Sequence, residues 1–519
     1  MPDKIISLQQ RRQLNLDVAA FAETTNERQL MEAARRIVRS YPANQVLALL
    51  LRLLDTPSSQ LRGGLGHLAA LLPPDEVVPA LRSAAANRHH SAHIRTTAAL
   101  ILERFLGESL PHGALGDLID TNEVAFQSLR EAVELARRHR HVLLEYVTQM
   151  RQTDADIAFM VMDLLARLDP HDQVDLLRLI ALDDRPPVAE RGLERLVALA
   201  ATEAREEVAR ALTTLQFTLP PRLAEQAQRS LRKLQFAGAQ YAPPAADGWR
   251  ALLGPADVFG NQSVWLVRMP GVGDAHGVLL GLVLNVSAGL LHAFGDETAA
   301  PEVLPLQRSI GKLVPVRTDT GDAAVLMEAP FEFGRWLILQ AAAAHWRSPE
   351  LRPLPGDYRL YSDLIWQFGP PQPEASLPAF FVPQPAVASA DASAPDAEEL
   401  AQAVARLLEH PAMAGWFLNQ RAIVPGVDPA LNGPEMQAPG EVIAHTLRVL
   451  EQWPEHPHLL ASLEAGLRTQ AAWLYLLGSV DLAQSARQLA DSAVLRPPTQ
   501  NPLLAALLER GLQAKRPAP

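Results

Sequence analysis

The chain contains no cysteine among its 519 residues. This absence excludes disulfide bonds, thiolate zinc sites and cysteine nucleophiles, and it is typical of a reducing compartment. Long hydrophobic runs are also missing, because the longest run, near residues 46–54, is interrupted by Arg52 and is too short to cross a bilayer. The first twenty positions lack the apolar core of a signal peptide. These features predict a cytoplasmic protein that does not enter a membrane.

Positive charge is in deficit, since the formal net charge is −11. Residues 1–240 are nearly neutral, with a net charge of −1, and the rest of the chain carries −10. An acidic surface repels both the phosphates of nucleic acid and anionic lipids. The charge balance therefore disfavours nucleic acid and membranes as partners.

The motifs of common enzyme classes are absent, including HExxH, GxSxG and the P-loop. The glycines of segment 271–277 superficially resemble a dinucleotide-binding loop, but the element that follows has strand character where such a loop requires a helix. We predict a hairpin turn there. His292, Asp296 and Glu297 have the chemistry to bind a cation or transfer protons, yet their pattern favours the polar end of a strand. The sequence predicts no cofactor, no metal site and no catalytic residue.

What the first 240 residues do contain is a helical pattern that returns every 31 to 35 positions. Its equivalent apolar anchors are Leu61, Ile94, Phe126, Ile157, Val188 and Leu223. Helical repeats with such a period stack into an α-solenoid, in which each repeat contacts its neighbours. We therefore expect all six anchors to be buried at equivalent positions, and no strand between residues 43 and 236.

The helices that carry three of these anchors share a further pattern. The stretches SSQLRGGLGHLAALL, SAHIRTTAALILERFL and PPVAERGLERLVALA each contain an apolar anchor, an arginine after it, small residues and leucines. Small side chains allow two helices to approach closely. They stand here at Gly63, Gly64, Ala98, Ala99 and Gly192.

These stretches resemble the second helix of HEAT repeats, and the resemblance covers roughly residues 40–236. It implies a HEAT-like α-solenoid, a fold whose ordinary use is to hold other proteins. The HEAT family includes proteins that resemble phycobilin lyases, but the absence of cysteine excludes a cysteine-based route of that kind. TPR repeats have a similar period of about 34 residues. Their tryptophan, glycine and tyrosine pattern is absent from this segment, so the pattern favours HEAT.

Beyond residue 240 the composition changes. Strand-like runs at 262–269, 277–289 and 323–330, followed by an apolar helix at 331–346, predict a small α+β domain over residues 245–380. Residues 370–395 are rich in proline, alanine and serine, which is typical of a linker. Helical patterns then predict a C-terminal helical domain over residues 396–519. The predicted fold class is thus a mainly α, multidomain protein, in which a HEAT-like solenoid over residues 1–240 precedes these two domains.

Two basic runs interrupt the nearly neutral solenoid. Their arginines are Arg88 and Arg95 in the first run, beside three histidines, and Arg137, Arg138 and Arg140 in the second. Both runs lie near helix junctions, and stacking aligns the junctions of a solenoid along an edge. We predict that these arginines are exposed on one edge and bind carboxylates or phosphates of a partner. The alternative is that they only solvate helix ends.

The predicted function is that of a non-enzymatic scaffold or adaptor. Its solenoid surface would bind another protein, and the basic runs favour a partner with an acidic surface. The alternative is an enzyme or an enzyme accessory, with its site in the 245–380 domain or in the groove between that domain and the solenoid.

Limited proteolysis tests the predicted linker. Its composition offers little apolar surface to bury, so a protease of broad specificity should cut within residues 370–395 before it cuts residues 1–240. Mass spectrometry of the first fragments gives the cut positions. Equal resistance throughout the chain would contradict the linker and would indicate that Phe380 and Phe381 hold this segment on a folded domain.

Overall fold

A computed structural model gives the chain two compact units, Met1–Ala211 and Leu212–Pro519, and each is described by itself. The structure describes residues 8–24, 27–56, 58–87, 89–108, 121–239, 241–271, 275–317, 323–348, 352–372, 397–419, 439–454, 456–493 and 496–514. Most of the predicted linker lies outside these ranges. The described chain is mostly helical, with a six-stranded sheet in its middle and helices on both sides in sequence.

The described part of the first unit consists of short helices. They are α1 (Leu8–Ala19), α2 (Glu27–Ser40), α3 (Ala43–Arg52), α4 (Ser59–Leu71), α5 (Pro74–Ala86), α6 (Ala92–Phe105), α7 (Thr121–Ala136), α8 (His141–Arg151), α9 (Ala155–Leu165), α10 (Pro170–Ile180), α11 (Pro186–Ala198) and α12 (Arg205–Leu215), which crosses the division between the units. Serine caps begin α4 and α6, where Ser58 and Ser91 accept the third backbone N–H at 3.2 Å. Among the described residues between 43 and 236 there is no strand, as the helical pattern predicts.

The helices of the first unit pack in two rows. In one row α4 contacts both α6 and α7, α7 contacts α9, and α9 contacts α11. In the other row α3 contacts α5, and α8 contacts α10. Neighbours in sequence, such as α5 with α6 and α10 with α11, join the rows. The first row contains the helices that carry five of the six predicted anchors.

Polar side chains connect positions about one predicted period apart. Such bonds join Arg62 to His93 over 31 positions, Arg195 to Asp163 over 32, Arg151 to Asp184 over 33, Arg137 to Asp172 over 35 and Ser91 to Asp55 over 36. Their spacing matches the period of the apolar pattern. The bonds between polar side chains therefore recur in this unit with about the same spacing as the apolar pattern.

The predicted anchors are buried in part. Leu61, Val188 and Leu223 are buried, whereas Ile94 and Phe126 are half-buried. Ile157 is 41% exposed, so its predicted burial is wrong. The apolar stripe of α9 that faces inward starts one residue later and contains Ala158, Val161, Met162 and Leu165. One residue corresponds to about 100° of rotation around a helix, which places Ile157 beside the stripe.

Two of the small residues permit close helix packing. A Cβ atom on Gly192 of α11 would lie 3.0 Å from the backbone nitrogen of Ala181, and a Cβ atom on Gly64 of α4 would overlap the ring of Phe21. Gly63 differs, because a Cβ atom there would have open space around it. The predicted role in close approach therefore holds for Gly64 and Gly192 but not for Gly63.

The described residues of the second unit include one antiparallel sheet. Its strands are β1 (Trp249–Leu253), β2 (Asn261–Arg268), β3 (Gly277–Asn285), β4 (Gly289–Ala299), β5 (Leu313–Arg317) and β6 (Ala323–Ala329), in the order β4-β3-β2-β1-β6-β5. β2 and β3 pair antiparallel from Asn261 with Asn285 to Arg268 with Val278. Segment 271–277 therefore belongs to a hairpin connection, as predicted, although residues 272–274 lie outside the description. At the β5 edge, Pro315 pairs with Val325.

The described part of the second unit also contains eight α-helices. They are α13 (Pro221–Phe236), α14 (Phe331–Arg347), α15 (Gly356–Trp366), α16 (Ala397–Leu408), α17 (Pro439–Gln452), α18 (His456–Leu476), α19 (Val480–Ala493) and α20 (Pro502–Ala514). α14 is largely buried, as predicted, and contacts β1 to β4. None of the helices among the described residues is long and apolar enough to cross a membrane.

The C-terminal helices are fastened to the sheet by buried polar side chains. The indole nitrogen of Trp473 on α18 donates to the carbonyl oxygen of Leu253 at 3.0 Å. One turn earlier, the side-chain oxygen of Gln470 accepts the backbone N–H of Ala256 at 2.8 Å. The predicted α+β and C-terminal regions therefore share one compact unit.

Two buried arginines hold the core of this unit together. Arg250 on β1 contacts Glu328 on β6 at 2.8 Å, with both side chains almost fully buried. Arg335 on α14 is 1% exposed, and its guanidinium donates to both carboxylate oxygens of Glu332 at 2.7 and 2.8 Å. It also donates to the carbonyl oxygen of Ile365 at 2.9 Å. Each buried charge thus has a fixed partner, as the cost of burying an isolated charge requires.

His345 is a buried titratable group near the end of α14. Its Nε2 atom lies 2.8 Å from the carbonyl oxygen of Arg352. Gly289, at φ +110°, brings the backbone against the imidazole, and a Cβ atom there would lie 3.0 Å from Nδ1. Burial lowers the pKa of His345.

Gly192 and Gly63 form a matched pair for testing close packing. Gly192→Ala should lower the free energy of unfolding by about 1–3 kcal/mol, because the added methyl group meets backbone that cannot move away. Gly63→Ala should raise it by up to about 1 kcal/mol, because alanine favours a helix and has space there. Urea unfolding of both variants gives the comparison. A neutral Gly192→Ala would contradict the close approach of α11 to the end of α10.

The pH dependence of stability tests the burial of His345. Below about pH 6.5 the unfolded chain binds a proton at this histidine, whereas the folded chain with its lowered pKa resists protonation. The free energy of unfolding should therefore fall as the pH drops from neutral towards the folded-state pKa, and this contribution should level out below it. His345→Gln removes the contribution, so its urea midpoint should decline less with acid. Equal declines would contradict the lowered pKa.

Candidate functional site

The five predicted binding arginines do not form one exposed edge. Arg88 lies outside the described residues. Arg95, early in α6, is only 4% exposed, and its Nε atom donates to the carbonyl oxygen of Ala85 at 3.0 Å. Ala85 belongs to the last turn of α5, where carbonyl groups lack partners within their own helix. Arg95 therefore closes the end of a neighbouring helix, and the prediction that it is exposed for binding is wrong.

The second basic run is exposed, but part of its charge is already paired. Arg138 is exposed and Arg140 is half-buried. Arg137 is 58% exposed, and its Nη2 atom lies 3.0 and 3.1 Å from the two carboxylate oxygens of Asp172. Hydrogen bonding to Asp172, with the nearby charges of Asp172 and Glu134, raises the pKa of Arg137. The edge around this run is thus mixed in sign rather than purely basic.

The same edge continues from the start of α10 to the start of α12. Asp172, which binds Arg137, is preceded in α10 by His171. The Nδ1 atom of His171 lies 3.1 Å from Oε1 of Glu207 in the first turn of α12. These two bonds span 35 and 36 positions. The first turn of α10 therefore connects the helix junctions before and after it.

Asp169, His171 and Glu203 form a cluster of metal-binding side chains on this edge. One ligand atom from each residue lies within 4.8 Å of the other two, and all three residues are exposed. Asp169 is the N-cap of α10, where its Oδ1 atom accepts the backbone N–H of His171 at 3.0 Å. That bond uses one of its two carboxylate oxygens. Two carboxylates and an imidazole are a donor set that binds divalent transition metals.

A cleft of about 470 Å³ lies at the start of the first unit. Its polar walls include Asp17 of α1, Glu32 and Arg36 of α2, and Tyr41. The Tyr41 hydroxyl donates to Oδ2 of Asp17 at 2.8 Å. Burial, together with this bond to a carboxylate, raises the pKa of Tyr41. The volume is within the range of small-ligand sites, while the Tyr41–Asp17 bond also ties α2 to α1.

The histidines of the first basic run have separate surroundings. His89 and His90 are exposed in the turn before α6. His93 is half-buried, with its Nε2 atom 2.7 Å from the carbonyl oxygen of Thr56 and 3.2 Å from Nη1 of Arg62. His93 therefore connects two helix junctions, and the described part of this run does not converge on a metal site.

The polar group at His292, Asp296 and Glu297 lies on strand β4. His292 and Asp296 are exposed, and Glu297 is half-buried. The carboxylate of Asp296 accepts the backbone N–H of Thr298 at 2.8 Å. Asp296 and Glu297 follow one another along the strand, where successive side chains point to opposite faces. This arrangement agrees with the interpretation as polar strand positions rather than a joint site.

Comparisons with models of protein families, with curated proteins and with solved structures found no match. The candidate site therefore rests on the residues of this chain alone.

The cluster on the edge was missed from the sequence, although a signal for it was present. Glu203 follows Asp169 by 34 positions, and Glu207 follows His171 by 36. Both separations are close to the period of the apolar pattern. A search for metal-binding residues one period apart, instead of residues adjacent in sequence, finds this group.

Proposed function

We propose that this protein is a scaffold or adaptor whose first unit binds another protein. The observation that carries the proposal is the series of polar bonds between positions 31 to 36 residues apart, within two rows of contacting helices. Such bonds give consecutive helix junctions a fixed mutual position. A long surface built in this way suits an extended partner.

The proposal includes a HEAT-like arrangement of these helices. Two observations support it: five predicted anchors fall on helices of the same row, and Gly64 and Gly192 stand where neighbouring atoms leave no space for a side chain. The offset of Ile157 limits the regularity of the pattern at α9.

The proposed partner is a protein with an acidic surface. That surface would bind at the α7–α8 junction of this chain. Arg138 is exposed there, and Arg137 keeps more than half of its surface exposed while it is paired with Asp172. Exposed arginines contribute little to folding but accelerate encounters with carboxylates and orient the partner. The nearby acids would reject an acidic partner that approaches in a different register.

The alternative of an enzyme or enzyme accessory with a site in residues 245–380 has less support. Buried charged groups described there have structural partners: Arg250 with Glu328 joins β1 to β6, and Arg335 pairs with Glu332 within α14 and donates to the carbonyl oxygen of Ile365 on α15. A carboxylate that is paired with an arginine in this way has a structural role and is a poor candidate for a catalytic group. This alternative stays a hypothesis.

Charge reversal tests the proposed binding surface. Affinity capture with the wild-type chain from its native source supplies the partner, and the Kd of that purified partner is then measured for variants. Arg137→Glu/Arg138→Glu/Arg140→Glu should weaken binding by about tenfold or more and reduce its salt dependence, because it removes attraction at three positions. Arg138→Glu alone, which leaves the Arg137–Asp172 bond intact, should give a smaller loss.

Arg229→Glu/Arg232→Glu on α13 is the matched control, because it reverses exposed arginines that do not belong to the α7–α8 junction. Its Kd should equal that of the wild-type chain. Circular dichroism confirms the helical fold of each variant. An unchanged Kd for the folded triple variant at low salt would contradict the proposed binding surface. It would indicate that these arginines only solvate helix ends.

A further inference from the structure

We propose that Asp169, His171 and Glu203 bind a divalent cation, with Zn²⁺ as the best fit, and that the cation joins the start of α10 to the segment before α12. The proposal is independent of partner binding. It rests on the convergence of three side chains from two helix junctions and on the carboxylate partner of the histidine ring.

The donor set fits zinc. Zinc sites combine imidazole nitrogen with carboxylate oxygen, and three protein ligands leave a fourth position for water. Tetrahedral bonds of about 2.1 Å place the ligand atoms roughly 3.4 Å apart. The ligand atoms here lie within 4.8 Å of one another. All three side chains are exposed, so rotation about their own bonds closes the difference without movement of the backbone.

One ring nitrogen of His171 has a carboxylate partner outside the three ligands. Nδ1 of His171 lies 3.1 Å from Oε1 of Glu207. A protonated Nδ1 donates to this carboxylate and leaves the lone pair of Nε2 for the cation. Histidines that bind metals commonly have such a carboxylate on the other ring nitrogen, which fixes the tautomer. Glu207 is thus a positioning residue, outside the three ligands.

The local charge favours a cation despite the two helix starts. The N-termini of α10 and α12 carry partial positive charge, which opposes cation binding. Asp169, Glu203 and Glu207 together supply three carboxylates against this partial charge. Two arginines near the cluster have other partners, because Arg137 is paired with Asp172 and the Nε atom of Arg205 donates to the carbonyl oxygen of Ala200. The site is therefore negative overall.

Binding would connect residues one repeat period apart. Asp169 and His171 stand at the start of α10, while Glu203 stands before α12. A cation that binds the folded state and not the unfolded chain raises stability in proportion to the logarithm of its concentration relative to Kd. The expected result is a first unit whose stability depends on the divalent cation.

The experiment uses the full chain freed of metal by a chelator. Zn²⁺ is titrated by calorimetry, and thermal unfolding is followed with and without Zn²⁺. The wild-type chain should bind one Zn²⁺ at this site and unfold at a higher temperature. Asp169→Asn/His171→Gln should weaken this binding at least tenfold, and asparagine keeps the N-cap of α10. Glu207→Gln should weaken binding by about 10- to 100-fold, the usual effect of losing an outer carboxylate.

The matched control is His292→Gln/Asp296→Asn on β4, which removes an exposed histidine and an exposed carboxylate that do not converge. It should bind Zn²⁺ as the wild-type chain does. A Co²⁺-loaded wild-type chain should show the visible absorption of a tetrahedral site, and Asp169→Asn/His171→Gln should lose it. Equal Zn²⁺ affinity in the wild-type chain and Asp169→Asn/His171→Gln would overturn the proposal. So would equal losses in that variant and the β4 control.

Discussion

Close approach between neighbouring helices is the constraint on which the first unit depends. At Gly192 the backbone of Ala181 is near enough that even one methyl group must displace something. The similar lengths of the helices in this unit give their junctions a nearly constant separation in sequence. The polar bonds over 31 to 36 positions follow from that separation. The mixed edge at α7, α10 and α12 is a product of the same spacing, which gathers distant acids, arginines and a histidine.

The second unit is organised by the need to satisfy buried polar groups. The terminal nitrogens of Arg250 and the guanidinium of Arg335 donate to carboxylates and backbone carbonyl oxygens in the interior. Trp473 uses an indole nitrogen in the same way to bind the sheet from α18. The bonds of Arg250 to Glu328, of Arg335 to Ile365 and of Trp473 to Leu253 each join different elements, whereas the bond of Arg335 to Glu332 lies within α14. The sheet and the C-terminal helices therefore depend on one another for a closed interior.

The sequence allowed prediction of those elements that have a periodic or continuous apolar pattern. The period located the helices of the first unit, and apolar runs located β2, β3 and β6. HAFGDE was interpreted as the polar end of a strand but not as part of a separate strand, because β4 lacks the apolar character of its neighbours and forms through pairing with β3. The exposure of Arg95 was predicted from charge alone, whereas a carbonyl oxygen on another helix determines its burial. The predicted burial of Ile157 was wrong because the position of an apolar stripe was predicted with an error of one residue. That error is enough to turn a side chain outward.

The edge strand β5 has a consequence for the behaviour of the protein in a crowded solution. The outer strand of a sheet offers its N–H and C=O groups to any extended chain that comes near. Pro315, in the middle of β5, has no N–H to offer and fixes its own backbone angle. An incoming strand therefore finds an interrupted template, and stacking of sheets from separate molecules into fibres is discouraged at this edge.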